Sequence, residues 1–86
     1  MVDTVPIRDA VEEAPIKARN GVAVVRPPEP MPVKAWVTQR QSGSFEADAL
    51  AVAWTDRQVE VRYQDKHGRE GFAWLWASAV RRPHLP

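Results

Sequence analysis

From Val33 onward the chain alternates apolar and polar residues with a period of two, and the pattern breaks only where turn-forming residues cluster. That period puts successive side chains on opposite faces of an extended backbone, so it restricts the stretch to β-structure and excludes an amphipathic helix. "VKAWVTQR" sets Val33, Ala35 and Val37 against Lys34, Trp36 and Thr38. In "SFEADALAVAW", Phe45, Ala47, Ala49, Ala51 and Ala53 share one side. The other side carries Glu46 and Asp48, then Leu50, Val52 and Trp54. A side that changes from polar to apolar within one strand predicts a strand that bends and is covered on both faces near its end. "QVEVRYQ" alternates cleanly, and "REGFAWLWA" completes the set. Thr55-Asp56-Arg57 and "DKHG" read as tight turns, with Gly68 available for a positive φ, and "QSGS" reads as a flexible loop.

These connections are short and local, which predicts an antiparallel meander. The expected fold is all-β: a small barrel, or a strongly bent antiparallel sheet of four to five strands, preceded by a Pro-rich N-terminal segment. That gives three parts: a flexible or strap-like segment over 1–32, a β-rich domain over 33–82 and a tail over 83–86.

The first part has a different composition. It holds six of the eight prolines and no aromatic residue. "RPPEPMP" favours extended, polyproline-like backbone and cannot continue a helix, so it reads as a linker, a strap or a docking segment. "VPIRDAVEEA" places Ile7, Val11 and Ala14 on one helical face, but Pro15 limits any helix there to about two turns. "NGVAVV" reads as a turn at Asn20-Gly21 followed by a brief extended run.

With 86 residues the chain makes at most one small domain, and without cysteine it has no disulfide staple. Two histidines leave little for a zinc site. Dense aromatic packing or self-association must then supply the stability, and Trp36, Trp54, Trp74 and Trp76 offer the packing. No apolar run is long enough to span a bilayer, and the start of the chain lacks a basic, then hydrophobic, leader, so a cytoplasmic location is expected.

The order of an "AWV" strand, a loop, a longer bent strand, a hairpin through "DKHG" and a Trp-rich strand ending in "WASAVRR" resembles the SH3-like small barrels, including Tudor-like domains. The resemblance covers roughly residues 33–82 and rests on layout. It implies a closed barrel in which "WASAV" forms a short helical turn and Val80 enters the core. The "ALYDY"-type start of polyproline-binding SH3 domains is absent, as is a full aromatic cage for methyl-lysine.

Two constellations bear on function. Phe72, Trp74 and Trp76 share one face of their strand, and four indoles in so small a domain exceed what its interior holds, since each buried N–H needs a partner. Trp36, Phe72, Trp74 and Trp76 are therefore the candidate protein-binding residues, because exposed tryptophan is enriched among interface hot spots. The second constellation is basic. Residues 33–86 carry eight Lys and Arg against six Asp and Glu, while residues 1–32 carry four against five. Arg62, Lys66, Arg69, Arg81 and Arg82 are the candidate nucleic-acid-binding residues, since arginine beside tryptophan suits both phosphates and stacked bases.

Catalysis finds no pattern. His67 lies in a turn and His84 in a proline-flanked tail; Ser42, Ser44 and Ser78 lack an evident histidine partner, and Glu46 with Asp48 has no cleft. No phosphate-binding or dinucleotide glycine pattern occurs. The expectation is a non-enzymatic interaction module without cofactor or metal, a homodimeric or otherwise self-associating accessory or regulatory protein, with a DNA- or RNA-binding barrel as the alternative.

Overall fold

The computed structural model of the protein describes residues 11–40, 43–65 and 68–82. Five antiparallel strands form one sheet: β1 (Met31–Gln39), β2 (Gly43–Trp54), β3 (Gln58–Gln64), β4 (Glu70–Trp76) and β5 (Val80–Arg81). Their order is β4-β3-β2-β1-β5. The first four form the meander that the turn signals predict. Thr55 and Gln58 close the β2–β3 turn, with the Thr55 N–H donating to the Gln58 carbonyl at 2.8 Å. At the β3–β4 hairpin the Asp65 N–H donates to the Arg69 carbonyl at 2.7 Å, and Gly68 takes φ 81°.

The last connection forces the sheet to curl. In a flat sheet β4 and β5 would stand four strand spacings apart, about 19 Å. Four residue steps of extended chain cover at most about 14 Å. Here they are spent on a 3-10 turn, Ala77–Ala79, before Val80 pairs with Ala35 and Arg81 with Lys34. The end of β4 must therefore bend round toward β1.

The bend stops short of closure. β4 and β5 are the two outer strands and do not pair with each other. The SH3-like or Tudor-like β-barrel implied by the sequence layout is therefore incorrect; the fold is the bent, open five-stranded alternative. The reason lies at the edges. β5 is only two residues long and pairs with β1 alone. The outward main-chain groups of Trp74, at the middle of β4, are already occupied: its carbonyl accepts from the Ala14 N–H at 2.8 Å, and its N–H donates to the Glu13 carboxylate at 2.8 Å.

Alternation sets the two faces. The inner face gathers Val33, Ala35, Val37, Ala47, Ala49, Ala51, Val61, Tyr63, Ala73 and Leu75, all buried. Five of these ten are alanine, and small side chains on the concave side let the strands curve tightly. Tyr63 fills the space opposite Gly71, where an added Cβ would stand 3.1 Å from the tyrosine ring. Only glycine fits there without displacing Tyr63.

The expected change of character along β2 begins at Leu50, and a bulge follows it. Ala51 pairs with Val61 and Ala53 with Glu60, so Val52 is an extra residue. The slip moves Trp54 to the same side as Val59, and both pack against the core.

The segment before β1 lies on this sheet. The Glu12 N–H donates to the Thr38 carbonyl at 2.7 Å, and Val11 forms an isolated bridge with Gln39. Two residues later Ala14, itself buried, bonds to Trp74. Residues 11–14 thus cross from the β1 edge to the β4 edge. They are extended, not helical; residues 5–10 of the expected short helix lie outside the described residues. A 3-10 turn, Ile16–Arg19, and a bend at Gly21 (φ 74°) reverse the chain. Val25 then exchanges two backbone bonds with Trp54, at 2.8 and 2.9 Å.

Val25 continues the β1–β2 ladder beyond Met31, which pairs with Ala51. Residues 26–30, the "RPPEP" run, stand opposite only two residues of β2 and loop out of the ladder. Proline has no N–H to contribute to a ladder, so the excursion falls where pairing would fail anyway. Pro32 remains within β1. Same-parity residues point their main-chain groups the same way, and the Thr38 carbonyl points away from β2. The N–H that Pro32 lacks would also point away from β2, so the ladder loses nothing.

Candidate interaction surface

The outer face of the sheet is divided by what the N-terminal strap covers. On β3 and β4 it presents Gln58, Glu60 and Arg62 beside Trp76, Trp74 and Phe72 in direct register. Arg19 lies over the Trp74 ring, its guanidinium carbon 4.4 Å from the ring centroid. The same guanidinium donates to Gln58 Oε1 at 2.8 Å, and Gln58 Nε2 donates to the Pro15 carbonyl at 3.2 Å. Gln58 is completely buried although it faces outward. The strap covers it, and its amide is satisfied on both sides.

The remaining rings are open. Trp36 is 53% exposed, Phe72 54% and Trp76 43%, large values for aromatic side chains on a folded sheet. Trp36 projects from β1 beside Glu46 of β2, and Phe72 and Trp76 from β4 on either side of Trp74. Of the four sequence-predicted aromatic residues, Trp74 alone is held by the strap.

Between the two unjoined edges lies a cleft of about 230 Å³. Trp36 and Thr38 of β1 line one side and Leu75 and Trp76 of β4 the other; Glu12, Glu13 and Ala14 of the strap and Ala79 of the 3-10 turn complete it. A second, apolar concavity of about 260 Å³ opens at the other end of the bend, among Met31, Val33, Trp54, Val59 and Val80, with Arg81 and Arg82 at its border.

The basic residues are dispersed. Arg62 faces Glu70 at 3.5 Å, Arg69 faces Asp65 at 3.4 Å and Arg81 grips Glu46 at 3.0 Å. Arg62 and Arg69 belong to the β3–β4 end of the sheet, whereas Arg81 and the exposed Arg82 belong to the β5 edge. Lys66 lies outside the described residues. Of these four described cations, two lie on β3 and its hairpin and two at the β5 edge, and three of the four face a carboxylate.

Glu12, Glu13, Arg19 and Gln58 were not singled out by sequence reasoning. Gln58 reads as a solvent-facing residue of its strand, and the other three sit in a segment without strong periodicity. No pattern in the sequence marks them: Glu13 and its partner on β4 are 61 residues apart.

Among the described residues no group of three or more His, Cys, Asp or Glu is placed to hold a metal ion, and no helix is long and apolar enough to cross a membrane. No family model, no curated protein and no solved structure matches the chain.

Proposed function

We propose that this small all-β domain is a non-catalytic protein-interaction module whose working surface is the uncovered part of its outer face, Trp36, Phe72 and Trp76. One observation carries the reading. The strap shields Trp74 and leaves its neighbours on the same strand face open, so ring exposure is selective. Aromatic side chains with large contact area and few rotatable bonds are the residues that most often anchor protein interfaces. The interaction reading has more support than nucleic-acid binding, because phosphate affinity rises with the number of cations a surface presents and Arg62, Arg69 and Arg81 each face a carboxylate.

The test is a phage-displayed peptide library panned on the purified full chain, with selected peptides then measured against the double variant Trp36→Ala/Trp76→Ala. Selected peptides should lose at least about tenfold in affinity on the double variant, the scale of one hot-spot residue. Equal binding to the double variant would move the surface elsewhere. A parallel measurement of solution mass by light scattering reports whether a second copy is the partner. Adding duplex DNA at low and moderate salt would revive the nucleic-acid reading only if the mass shifts and the shift fades as salt rises.

A further inference from the structure

We propose that the cleft between the two unjoined sheet edges receives a single cationic side chain, arginine or lysine, carried by a partner protein. The inference deepens the interaction reading and rests on it.

Four elements line the cleft, which stays open to solvent: β1, β4, the strap and the 3-10 turn. At about 230 Å³ it lies below the ~300–1,000 Å³ of most small-molecule sites, so it suits one inserted side chain better than a cofactor. Its lining has two chemistries. Leu75, nearly fully buried, and Ala79 provide an apolar surface for a methylene stem, with Trp36 and Trp76 open beside them. Glu12 and Glu13 of the strap, both exposed, also line it, with the Glu13 carboxylate held at the Trp74 N–H.

Their charge is available. Among the described residues Glu12 forms no side-chain ion pair, and Glu13 is engaged only by a neutral main-chain N–H, that of Trp74. The nearest ion pairs on the outer face, Arg81–Glu46 and Lys34–Asp48, are each neutral overall. The cation of the strap, Arg19, is already committed to the Trp74 ring and Gln58. A partner cation seated there would lie in a cleft lined by both indoles and by acidic strap residues. Ring quadrupole and Coulomb attraction both favour it, and a carboxylate-bearing or purely polar side chain would gain neither. The molecule already shows one half of this chemistry internally, in Arg19 over Trp74.

The probe is a capped pentapeptide with a central arginine, compared with counterparts carrying citrulline or norleucine at that position. Each is titrated to millimolar concentration into the ¹⁵N-labelled full chain while the indole N–H resonances are followed. The arginine peptide should move the Trp36 and Trp76 resonances and leave Trp54 in place. The citrulline peptide should bind about five- to tenfold more weakly, as expected for loss of a cation over an aromatic face beside carboxylates. Glu12→Gln/Glu13→Gln should lower affinity for the arginine peptide by a similar factor and leave the citrulline peptide unchanged. Glutamine at 13 keeps an acceptor for the Trp74 N–H, so this variant tests charge without dismantling the strap.

Equal binding of arginine and citrulline peptides, or an arginine affinity unchanged by the double glutamine variant, overturns the inference. So does the absence of any shift with the arginine peptide. The interaction reading has its own readout in the panned peptides. If these depend on Trp36 and Trp76 but carry no basic residue, the surface stands and the cation falls. If they ignore both rings, both readings fall.

Discussion

Trp74 and Trp76 sit two residues apart on the same face of β4, yet they have opposite fates. Trp74 has Arg19 stacked on its ring, Ala14 bonded to its carbonyl and Glu13 bonded to its N–H. Among the described residues nothing covers Trp76 in this way, and it is 43% exposed. The difference does not come from β4, because alternation treats the two residues alike. It comes from a segment some 60 residues earlier in the chain, which crosses the sheet at one level and not at the next. Whether an aromatic residue is structural or available is thus decided here by tertiary cover.

Truncating each ring in turn tests that contrast most strongly. Trp74→Ala should destabilise the fold by about 2 kcal/mol, below the range for a fully buried ring because Trp74 is half-buried, with part of the loss coming from the unseated strap. Trp76→Ala should stay within about 0.5 kcal/mol, as for an exposed position. Urea unfolding of both variants checks the pair, and similar midpoints would erase the distinction. Comparable in size is Gly71→Ala. Its Cβ would meet the Tyr63 ring at 3.1 Å, so a loss of about 1–3 kcal/mol is expected from overpacking on the inner face, with the outer rings unaffected.

Arg19→Ala sharpens the comparison from the strap side. Removing the cation over Trp74 and its bond to Gln58 should cost about 1–2 kcal/mol. Acrylamide should then quench a larger share of the tryptophan emission, because Trp74 loses its cover. Unchanged quenching would mean that the strap holds without Arg19. The smallest effect belongs to Lys34→Ala, which breaks an ion pair with the exposed Asp48 on the uncovered side. A shift of no more than about 0.5 kcal/mol in the same urea assay is expected for such a surface pair.

The same contrast explains what could be read from the sequence. Strand-level periodicity was enough for β1, β3 and β4, and for the turns at Thr55 and Gly68, because those depend on neighbours in the chain. The bent, open sheet was one of two expected architectures. The barrel failed because closure depends on which groups occupy the β4 edge, and Ala14 and Glu13 carry no pattern that announces such a role. Gln58 illustrates the same gap. Its strand alternates toward solvent, and only the arrival of Pro15 and Arg19 turns that position into a buried, fully bonded amide. The bulge at Val52 was legible only as a loss of polarity along β2, since a one-residue slip alters pairing without altering composition. For the candidate surface, Trp36, Phe72 and Trp76 were identifiable as rings in excess of the interior, whereas the carboxylates beside the cleft were not.

The pairing of Val25 with Trp54 adds a consequence for competition. Residues 11–19 are anchored downstream by that bridge, and the proline-rich excursion after it is stiff. If the strap lifts from Trp74, it stays leashed within reach of its own seat. For short tethers such a leash corresponds to a local concentration on the order of millimolar. A free ligand seeking the Trp74 ring must outcompete that standing supply, whereas one seeking Trp36 or Trp76 meets no rival from residues 11–19. The leash therefore acts as a filter, turning a sheet face with four aromatic residues into one with three accessible addresses.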